Sequence, residues 1–313
     1  MNPFTHSCDN KRYHTLSYYN KSHFGHKIFK AVIDGGFTCP NLDGTKGTGG
    51  CIFCDNGSGY FTHSPVISIE KQVALEIKRI HTRHPNANAI AYFQSHTNTY
   101  APLEKLKTMY ETAISQPYIS GLSIGTRPDC ISDELLVYLQ DLSKRTALTV
   151  ELGLQTVHDG TATLINRCYK YEDFLSIYSK LKKYGIRVCI HIINGLPNET
   201  LDMMLETAKQ VGRLKPDGLK IQLLHIIKGT QIEKMYHDGQ AEPMSKHDYV
   251  SLVVKQLEYI PAETVIERIT GDGDKSKLIA PLWSMDKISI LGEIDKQQAS
   301  ANSWQGKMLA TQE

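Results

Sequence analysis

The sequence predicts an α/β fold in which parallel strands alternate with helices. Short apolar segments rich in β-branched residues recur along the chain, and segments of helical period separate them. Such near-continuous apolar strands indicate a parallel sheet that is covered on both faces. About six βα units fit into the chain, fewer than the eight of a closed TIM barrel. We therefore expect either a partial (βα)6 barrel or a doubly wound sheet.

Each predicted element follows from its local pattern. The strand segments are rich in valine, isoleucine and aromatic residues and cover residues 27–34, 88–94, 121–125, 148–155, 187–195 and 217–227, with a further strand-like segment at 264–270. The helical segments cover 69–84, 103–116, 132–145, 160–184 with an interruption, 199–213 and 246–258. We expect an N-terminal extension at 1–25, a barrel at 26–245 and a C-terminal extension at 246–313 that packs on the barrel.

The composition is that of a globular protein. The chain has 313 residues, of which 41% are hydrophobic and 22% are charged. Its net charge of +2 is too small to indicate a nucleic-acid binder, so a basic surface would have to be local. The sequence contains no run of about 18 apolar residues, so it predicts no membrane span. The N-terminus lacks the apolar segment of a secretory signal. We expect a cytoplasmic protein with no membrane partner.

Polar and turn-forming residues follow the predicted strands. They include the segments 94–100, 126–129, 194–197 and 225–229, together with Gln155. In parallel α/β folds, ligands bind at the carboxyl ends of the strands, whether the sheet is closed or open. The sequence therefore predicts a ligand site along this edge of the sheet.

A cysteine loop follows the first predicted strand. Three of the seven cysteines, Cys39, Cys51 and Cys54, fall within sixteen residues with the spacing C-x11-C-x2-C. Six glycines between positions 35 and 50 allow the backbone to wrap closely around a bound group. Thiolates select zinc, Cu(I) or iron–sulfur clusters, and a reducing compartment makes metal ligands more common than disulfides.

The spacing favours an iron–sulfur cluster over zinc. Structural zinc needs a fourth ligand, and no second C-x2-C or histidine pair follows at zinc-finger spacing. Three thiolates on a four-iron cluster leave one iron open for a substrate. Zinc and unreactive thiols remain alternatives at this point. The other four cysteines are predicted to be structural; they are Cys8, Cys130, Cys168 and Cys189.

Seven segments of the sequence point to one family: DGGFTCPNLDGTKGTGGCIFC, AYFQSHTNTYAPLEKL, GLSIGTRPDCI, ELGLQTVHDGTATLINR, GLPNET, DGLKIQLLHIIKGT and ERITGD. With these segments the sequence resembles the radical S-adenosylmethionine (SAM) superfamily, from about residue 23 to 285. It is most similar to the YhcC/YtqA-type family, which is related to the radical SAM domain of the Elongator catalytic subunit. Eleven residues separate the first two cysteines, whereas three are usual in the superfamily. A long gap at this point is a feature of the Elongator-like branch.

The resemblance implies a partial (βα)6 TIM-like barrel and two cofactors, a 4Fe–4S cluster on Cys39, Cys51 and Cys54, and SAM. In that family, the open iron chelates SAM, and one electron cleaves it to methionine and a 5′-deoxyadenosyl radical. The radical then abstracts hydrogen from a substrate carbon. The electron would come from a donor such as flavodoxin or ferredoxin. The cofactors carry this chemistry, and the protein supplies orientation and exclusion of water.

The resemblance also assigns SAM contacts. Gln155 and Arg167 have the spacing of a pair that holds the SAM ribose and carboxylate in porphyrin-oxidising relatives. Ser95 and Thr97 stand where relatives carry a glycine-rich turn for the SAM amino group. His191 stands where porphyrin-type relatives place an acidic ribose ligand, and a neutral imidazole can also bond a hydroxyl.

One ribose contact of the relatives is missing. Gly125 replaces a glutamate that many of them carry, and Glu151 is a possible substitute. The segment Leu224–Ile227 is expected to run past the adenine.

The predicted substrate is a tRNA base. Lys11 and Arg12 belong to an N-terminal stretch, 11–27, in which basic and aromatic residues alternate, and such surfaces suit RNA. The Elongator-like relatives act on tRNA, and Arg268 in ERITGD is a candidate substrate contact. Two alternatives remain open: a radical SAM enzyme that acts on a small molecule or a protein side chain, and a non-catalytic binding module stabilised by a metal.

Overall fold

The computed structural model of the chain describes residues 2–55, 62–271 and 273–310. Seven strands form one sheet in the order β1-β2-β3-β4-β5-β6-β8, and every neighbouring pair is parallel. A two-stranded antiparallel sheet joins β7 to β9. The strands are β1 Phe29–Ile33, β2 Ala89–Phe93, β3 Ile119–Thr126, β4 Ala147–Gln155, β5 Arg187–Asn194, β6 Gly218–Leu223, β7 Ile226–Ile227, β8 Val265–Arg268 and β9 Leu278–Ala280.

Helices connect the strands. They are α1 Leu16–Phe24, α2 Ile69–His81, α3 Leu103–Ile114, α4 Asp133–Arg145, α5 Asp159–Leu164, α6 Tyr171–Lys183, α7 Leu201–Leu214, α8 Gln231–His237, α9 Lys246–Glu258, α10 Lys287–Ser300 and α11 Lys307–Ala310. Several begin where a serine or threonine hydroxyl accepts a hydrogen bond from an N–H of the first turn, as Ser132 does before α4 and Thr200 before α7. These caps satisfy donors that have no partner inside the helix.

The partial-barrel prediction is confirmed, because the sheet is parallel throughout and curls into a half-barrel. It contains seven strands instead of six. The seventh, β8, lies in the strand-like segment 264–270 and pairs with β6 through Gly218–Val265 and Leu219–Ile266. The sheet thus continues past residue 245, where the predicted barrel ends, while the three-part division of the chain stays a prediction.

Most helices and strands predicted from the sequence appear within a few residues of their expected bounds, but the single strand predicted at 217–227 divides into β6 and β7, which belong to different sheets. The predicted interruption in 160–184 is real: α5 ends at Leu164, α6 begins at Tyr171, and Asn166 and Cys168 between them have positive φ. The sequence prediction missed α1, α8, α10, α11 and β9. In α1 only Asn20 is buried, so that helix has no apolar stripe to reveal it.

Two apolar clusters stabilise the fold. The larger one fills the space between the sheet and its helices. The smaller one packs beneath the cysteine loop and includes Ile52, Ile165 and Ile232. There the N–H of Ile52 donates to the Ile165 carbonyl at 3.2 Å, and the N–H of Ile232 donates to the Ile52 carbonyl at 2.9 Å. The loop is therefore anchored to the segment before α6 and to the start of α8. No helix within the described ranges is long and apolar enough to cross a membrane.

Candidate active site

A cavity of about 330 Å³ lies at the carboxyl ends of the sheet strands, and we name it the upper cavity. Its size is that of a small-molecule site. Residues from β2, β3, β4, β5, β6 and β8 line it, together with the loop after β1. The predicted site residues among them are Cys39, Cys51, Cys54, Thr97, Glu151, Gln155, Arg167, His191 and Arg268. The edge of the sheet that the sequence selected is therefore the edge with the cavity.

The three cysteines stand on two tight turns. The N–H groups of Leu42 and Asp43 donate to the Cys39 carbonyl at 2.8 and 3.2 Å, and the N–H of Cys54 donates to the Cys51 carbonyl at 2.9 Å. Gly50, beside Cys51, has a φ of 73°, a conformation that glycine adopts without steric cost. These turns bring all three thiols to one wall of the cavity. Residues 56 and 57, which end the predicted loop, lie outside the described residues.

Cys51 is held by its neighbours. The Asn41 Nδ2 lies 3.7 Å from its sulfur and donates to the Asn166 carbonyl at 2.5 Å. Burial, followed by the nearby Cys54 thiol, raises the pKa of Cys51 to about 12. Arg127 acts in the opposite direction, and its Nη1 lies 4.0 Å from the Cys39 sulfur. A buried thiol that resists ionisation becomes a thiolate readily once a metal coordinates it.

The donor set fits a cluster better than a single ion. Within the part of the chain that the structure describes, no three histidine, cysteine, aspartate or glutamate side chains are placed to hold one metal ion. Zinc would need such a group. A four-iron cluster takes each thiolate on a different iron and so accepts sulfurs that lie further apart. The three cysteines therefore fit the cluster that the resemblance implies.

Glu151 forms the centre of a charged network in the barrel interior. Its Oε1 accepts hydrogen bonds from Lys30 Nζ at 2.9 Å and Ser123 Oγ at 2.7 Å. Its Oε2 accepts from Tyr92 Oη at 2.8 Å and also from Lys220 Nζ. Burial opposes the ionisation of Glu151, but Lys220 and Lys30 outweigh it and hold the pKa well below its usual range. Glu151 as a whole is 1% exposed, and its carboxylate is satisfied by protein donors.

His191 lines the cavity and belongs to the same network. Its Nε2 lies 2.8 Å from Glu151 Oε2. Burial, and then the charge of Lys220, lowers the pKa of His191, while Glu151 acts in the opposite direction. The ring is therefore neutral near pH 7, which is the form that the sequence argument requires for a hydroxyl contact.

Gln155 and Arg167 meet at the end of β4. The Arg167 side chain is 1% exposed, and its guanidinium donates to the carbonyls of Leu154 and Thr156, which flank Gln155, and to the carbonyl of Tyr169. Gln155 has a φ of 67°, and its buried Oε1 has no hydrogen-bond partner. An unsatisfied buried acceptor costs about 1–3 kcal/mol. That acceptor fits a ligand group that donates a hydrogen bond to it, and the SAM contact stays a prediction.

The turn after β2 contains no glycine, although the resemblance places a glycine-rich turn at this point. His96 has a φ of 59°, which is the left-handed conformation that glycine adopts at no cost. Gln94, His96 and Thr97 line the cavity. Ser95 is buried and does not line it, and its hydroxyl donates to Thr62 Oγ1 at 3.5 Å.

The three residues predicted to contact the substrate do not lie together. Arg268 lines the cavity, whereas Lys11 and Arg12 do not. Lys11 Nζ lies 2.6 Å from Asp295 Oδ2, and Arg12 donates to the Asn302 side chain and the Ser303 carbonyl. Both residues thus join the N-terminal segment to α10 and to the chain that follows it.

Sequence reasoning missed several residues of this site. Arg127 donates to both carboxylate oxygens of Asp129 at 2.9 Å and lies beside Cys39. Tyr92 and Lys220 line the cavity floor. A signal was present for Lys220, since a lysine in a near-continuous apolar strand must find a carboxylate when it is buried. Tyr92 carries no such signal, because tyrosine is common in strands.

Comparisons with known proteins agree with this geometry. The family model described as the Radical SAM superfamily matches residues 44–211, and the Radical_SAM C-terminal domain matches residues 216–299. The chain is 50% identical over 307 residues to the uncharacterized protein YtqA of Bacillus subtilis, covering 98% of this chain and 95% of YtqA. It is 35% identical over 274 residues to protein YhcC of Escherichia coli, covering 87% and 88%.

More distant relatives share part of the chain. A tRNA uridine(34) acetyltransferase of Dehalococcoides mccartyi is 30% identical over 173 residues, which is 54% of this chain and 37% of that protein. The solved structure of Elp3 from the archaeon Methanocaldococcus infernus, with an N-terminal deletion, has a TM-score of 0.67 at 18% identity. It covers 89% of this chain and 65% of that one, and this likeness concerns the fold.

The superfamily match extends over more than half of the chain, and two relatives match most of its length. Members of this superfamily use a 4Fe–4S cluster and SAM. The resemblance inferred from the cysteine loop and the later segments is confirmed. The chain therefore belongs to the radical SAM superfamily of enzymes, in a group with YtqA and YhcC.

Proposed function

We propose that this protein cleaves SAM reductively at a 4Fe–4S cluster held by Cys39, Cys51 and Cys54, and that the 5′-deoxyadenosyl radical modifies a base of tRNA. The observation that carries the proposal is the convergence of the three cysteines on a cavity at the carboxyl ends of the strands. The bound cofactors supply the radical chemistry. This chain supplies the thiolates, the orientation of the ligands and a recessed site at the carboxyl ends of the strands.

Within the cavity we assign SAM to the side of β4 and β5. The buried Gln155 Oε1 lacks a partner and suits a donor on SAM, and neutral His191 suits a hydroxyl. Thr97 lines the cavity beside the turn after β2, so it remains a proposed contact for the SAM amino group, and Ser95 supports that turn.

Arg167 acts differently from the arginine of the relatives in this proposal. Its Nη1 bridges the carbonyls of Leu154 and Thr156 and so holds Gln155 in its left-handed conformation. Arg167→Ala should lower both the melting temperature and the SAM affinity, whereas a direct carboxylate contact would weaken SAM binding by about 1.5–3 kcal/mol with the fold unchanged. Thermal melts run beside SAM titrations separate the two roles.

The tRNA substrate is supported by two observations. The chain shares 30% identity over 173 residues with a protein named as a tRNA uridine(34) acetyltransferase. The N-terminal segment also carries a series of aromatic contacts from Phe4 to Phe24, beside the basic residues of the stretch 11–27. The proposal includes a cytoplasmic location and an electron donor such as flavodoxin or ferredoxin.

One observation favours the second candidate, a small-molecule or protein substrate. Lys11 and Arg12, which the sequence selected for RNA, are engaged by Asp295, Asn302 and Ser303. Their contribution to RNA affinity is correspondingly reduced. Among the predicted substrate residues, this leaves Arg268 as the basic group at the cavity.

Two experiments test the proposal. Anaerobically reconstituted protein with a reductant should convert SAM to 5′-deoxyadenosine and methionine, and absence of this cleavage would contradict the enzymatic assignment. Nucleosides of total tRNA from cells with and without the protein should differ in at least one modified base. An unchanged nucleoside profile, together with tRNA binding that does not fall with salt, would favour the small-molecule candidate.

A further inference from the structure

Glu151 has no capacity left for a ligand. A carboxylate offers about four lone-pair sites, and the two oxygens of Glu151 already accept from five donors on five other strands. The donors are Lys30, Tyr92, Ser123, His191 and Lys220. A direct contact between Glu151 and a ribose, which the sequence suggested, would displace one of these buried donors. The role of Glu151 must therefore be transmitted through one of its partners.

His191 is one of the partners of Glu151 that line the upper cavity. The ionised Glu151 carboxylate only accepts hydrogen bonds, so the proton between the two groups must lie on His191 Nε2. In a neutral imidazole the other nitrogen, Nδ1, is then an acceptor. No described group bonds Nδ1, and Nδ1 is not among the buried atoms that lack a partner. It is therefore accessible on a ring that lines the cavity.

An accessible acceptor in a binding cavity favours a ligand group that donates a hydrogen bond to it. Both ligands of the proposed function carry such a group, since SAM and RNA each contain ribose hydroxyls. Deoxy analogues lack the donor and would leave Nδ1 without a partner. If the proton moved to Nδ1, the ring would instead present a donor and favour carbonyl or phosphate oxygens.

We propose that Glu151 is a positioning residue that holds His191 in the tautomer whose Nδ1 accepts a hydrogen bond from a ribose hydroxyl of the bound ligand. Lys30 and Lys220 keep the carboxylate ionised, and Ser123 and Tyr92 fix its rotation. The inference rests on the proposed function, because that function brings a ribose into the cavity. The ribose belongs either to SAM or to the RNA, and the experiments below separate the two.

The first measurement needs no substitution at Glu151. In ¹⁵N-histidine-labelled, reconstituted protein at neutral pH, the imidazole signals of His191 should show a protonated Nε2 and an unprotonated Nδ1. The His191→Gln variant assigns the signals, because they disappear in it. A protonated Nδ1 in the wild-type protein would overturn the proposal.

The second measurement compares affinities for S-adenosylhomocysteine and its 2′-deoxy and 3′-deoxy analogues. If SAM supplies the ribose, the wild-type protein should bind one deoxy analogue about fivefold more weakly than the parent, the size expected for one neutral hydrogen bond. Glu151→Gln should lose this discrimination, because its amide also donates and no longer fixes the tautomer. The double variant Glu151→Gln, His191→Ala should be no weaker than His191→Ala alone.

Lys30→Met is the matched control. It removes a donor from the same carboxylate but leaves in place both the bond to His191 and the larger effect of Lys220, which keeps the carboxylate ionised, and Lys30 does not line the upper cavity. It should keep the fivefold discrimination. Equal loss of discrimination in Lys30→Met and Glu151→Gln would mean that the network only supports the fold, and the proposal would be wrong.

An RNA oligonucleotide and a DNA oligonucleotide of the same sequence form the second arm. If the wild-type protein binds the RNA more tightly than the DNA and Glu151→Gln loses this preference, the hydroxyl belongs to the substrate. If the protein instead discriminates between S-adenosylhomocysteine and a deoxy analogue, the hydroxyl belongs to SAM. Discrimination in neither arm overturns the inference. An unchanged tRNA nucleoside profile would contradict the proposed substrate alone, since the S-adenosylhomocysteine arm and the tautomer measurement do not depend on it.

Discussion

The barrel has two openings, and the comparison between them shows what makes one a site. The upper cavity, at the carboxyl ends of the strands, has a volume of about 330 Å³. A second cavity of about 520 Å³, which we name the lower cavity, lies at the amino ends between α1 and the starts of β1, β4 and β5. The network around Glu151 separates them and includes Glu267, whose Oε2 accepts from Lys30 Nζ at 3.4 Å. Its members Lys30, Ser123 and Glu267 line the lower cavity, and Tyr92, His191 and Lys220 line the upper one.

The two cavities differ in the chemistry of the residues that line them. The upper cavity holds the three loop cysteines, and two of its residues, Gln155 and His225, carry buried polar atoms without a partner. Among the described residues that line the lower cavity, none is a cysteine and none carries such an atom. Unsatisfied polar groups and soft ligands, and not volume, therefore distinguish the site from a gap in the packing.

The largest expected effect comes from the cluster ligands. Cys39→Ala, Cys51→Ala and Cys54→Ala should each remove nearly all iron–sulfur absorbance and bound iron after anaerobic reconstitution, because each thiolate holds a separate iron. Cys8→Ala, at an exposed position outside the upper cavity, should leave both unchanged. Full iron content in all three loop variants would contradict the assignment of the site.

The next largest effect concerns the network between the cavities. Lys220→Met removes a buried partner of Glu151 and should lower the free energy of unfolding by about 3 kcal/mol, because a buried charge loses a neighbour. The control is Arg145→Gln, which breaks the exposed pair with Glu111 and should cost about 0.5 kcal/mol. Urea denaturation of both variants measures the difference, and equal losses would argue against a buried network.

Acid should weaken the lower part of that network. Burial opposes the ionisation of Glu267, but Lys30 and Arg187 outweigh it and lower the pKa of Glu267 to about 2. Because this folded-state pKa lies below the unfolded value of about 4.3, the stabilisation is present above pH 4.3 and is lost as the pH falls towards 2. Glu267→Gln should flatten the pH dependence of stability in this window, whereas the exposed Glu172→Gln should not.

The smallest expected effect sharpens the contrast between the cavities. Gln155→Ala removes the acceptor assigned to SAM and should weaken SAM binding by about 1 kcal/mol, or roughly fivefold. Ser143→Ala, which changes a polar residue of the lower cavity, should leave SAM affinity within error. Titration calorimetry on reconstituted protein measures both, and equal effects would remove Gln155 from the site.

Much of the fold was readable from the sequence because its signals are local. The β-branched segments and helical periods predicted β1 to β6, the main helices between them, and the break before α6. Strand β8 was seen as strand-like but not placed, because four residues, Val265–Arg268, do not show which neighbour they will pair with. The sequence prediction missed helix α1 because the residues of this helix have no apolar periodicity.

The sequence by itself determined the cysteine loop, the parallel sheet and the edge on which ligands bind, since spacing and alternation are properties of neighbouring residues. The tertiary structure decided which side chains meet. It placed five donors on Glu151, turned Arg167 towards backbone carbonyls and paired Lys11 with Asp295, 284 positions away along the chain. These contacts depend on the curl of the sheet, because the curl brings residues from different strands to one point in the interior, and no local pattern encodes that distance.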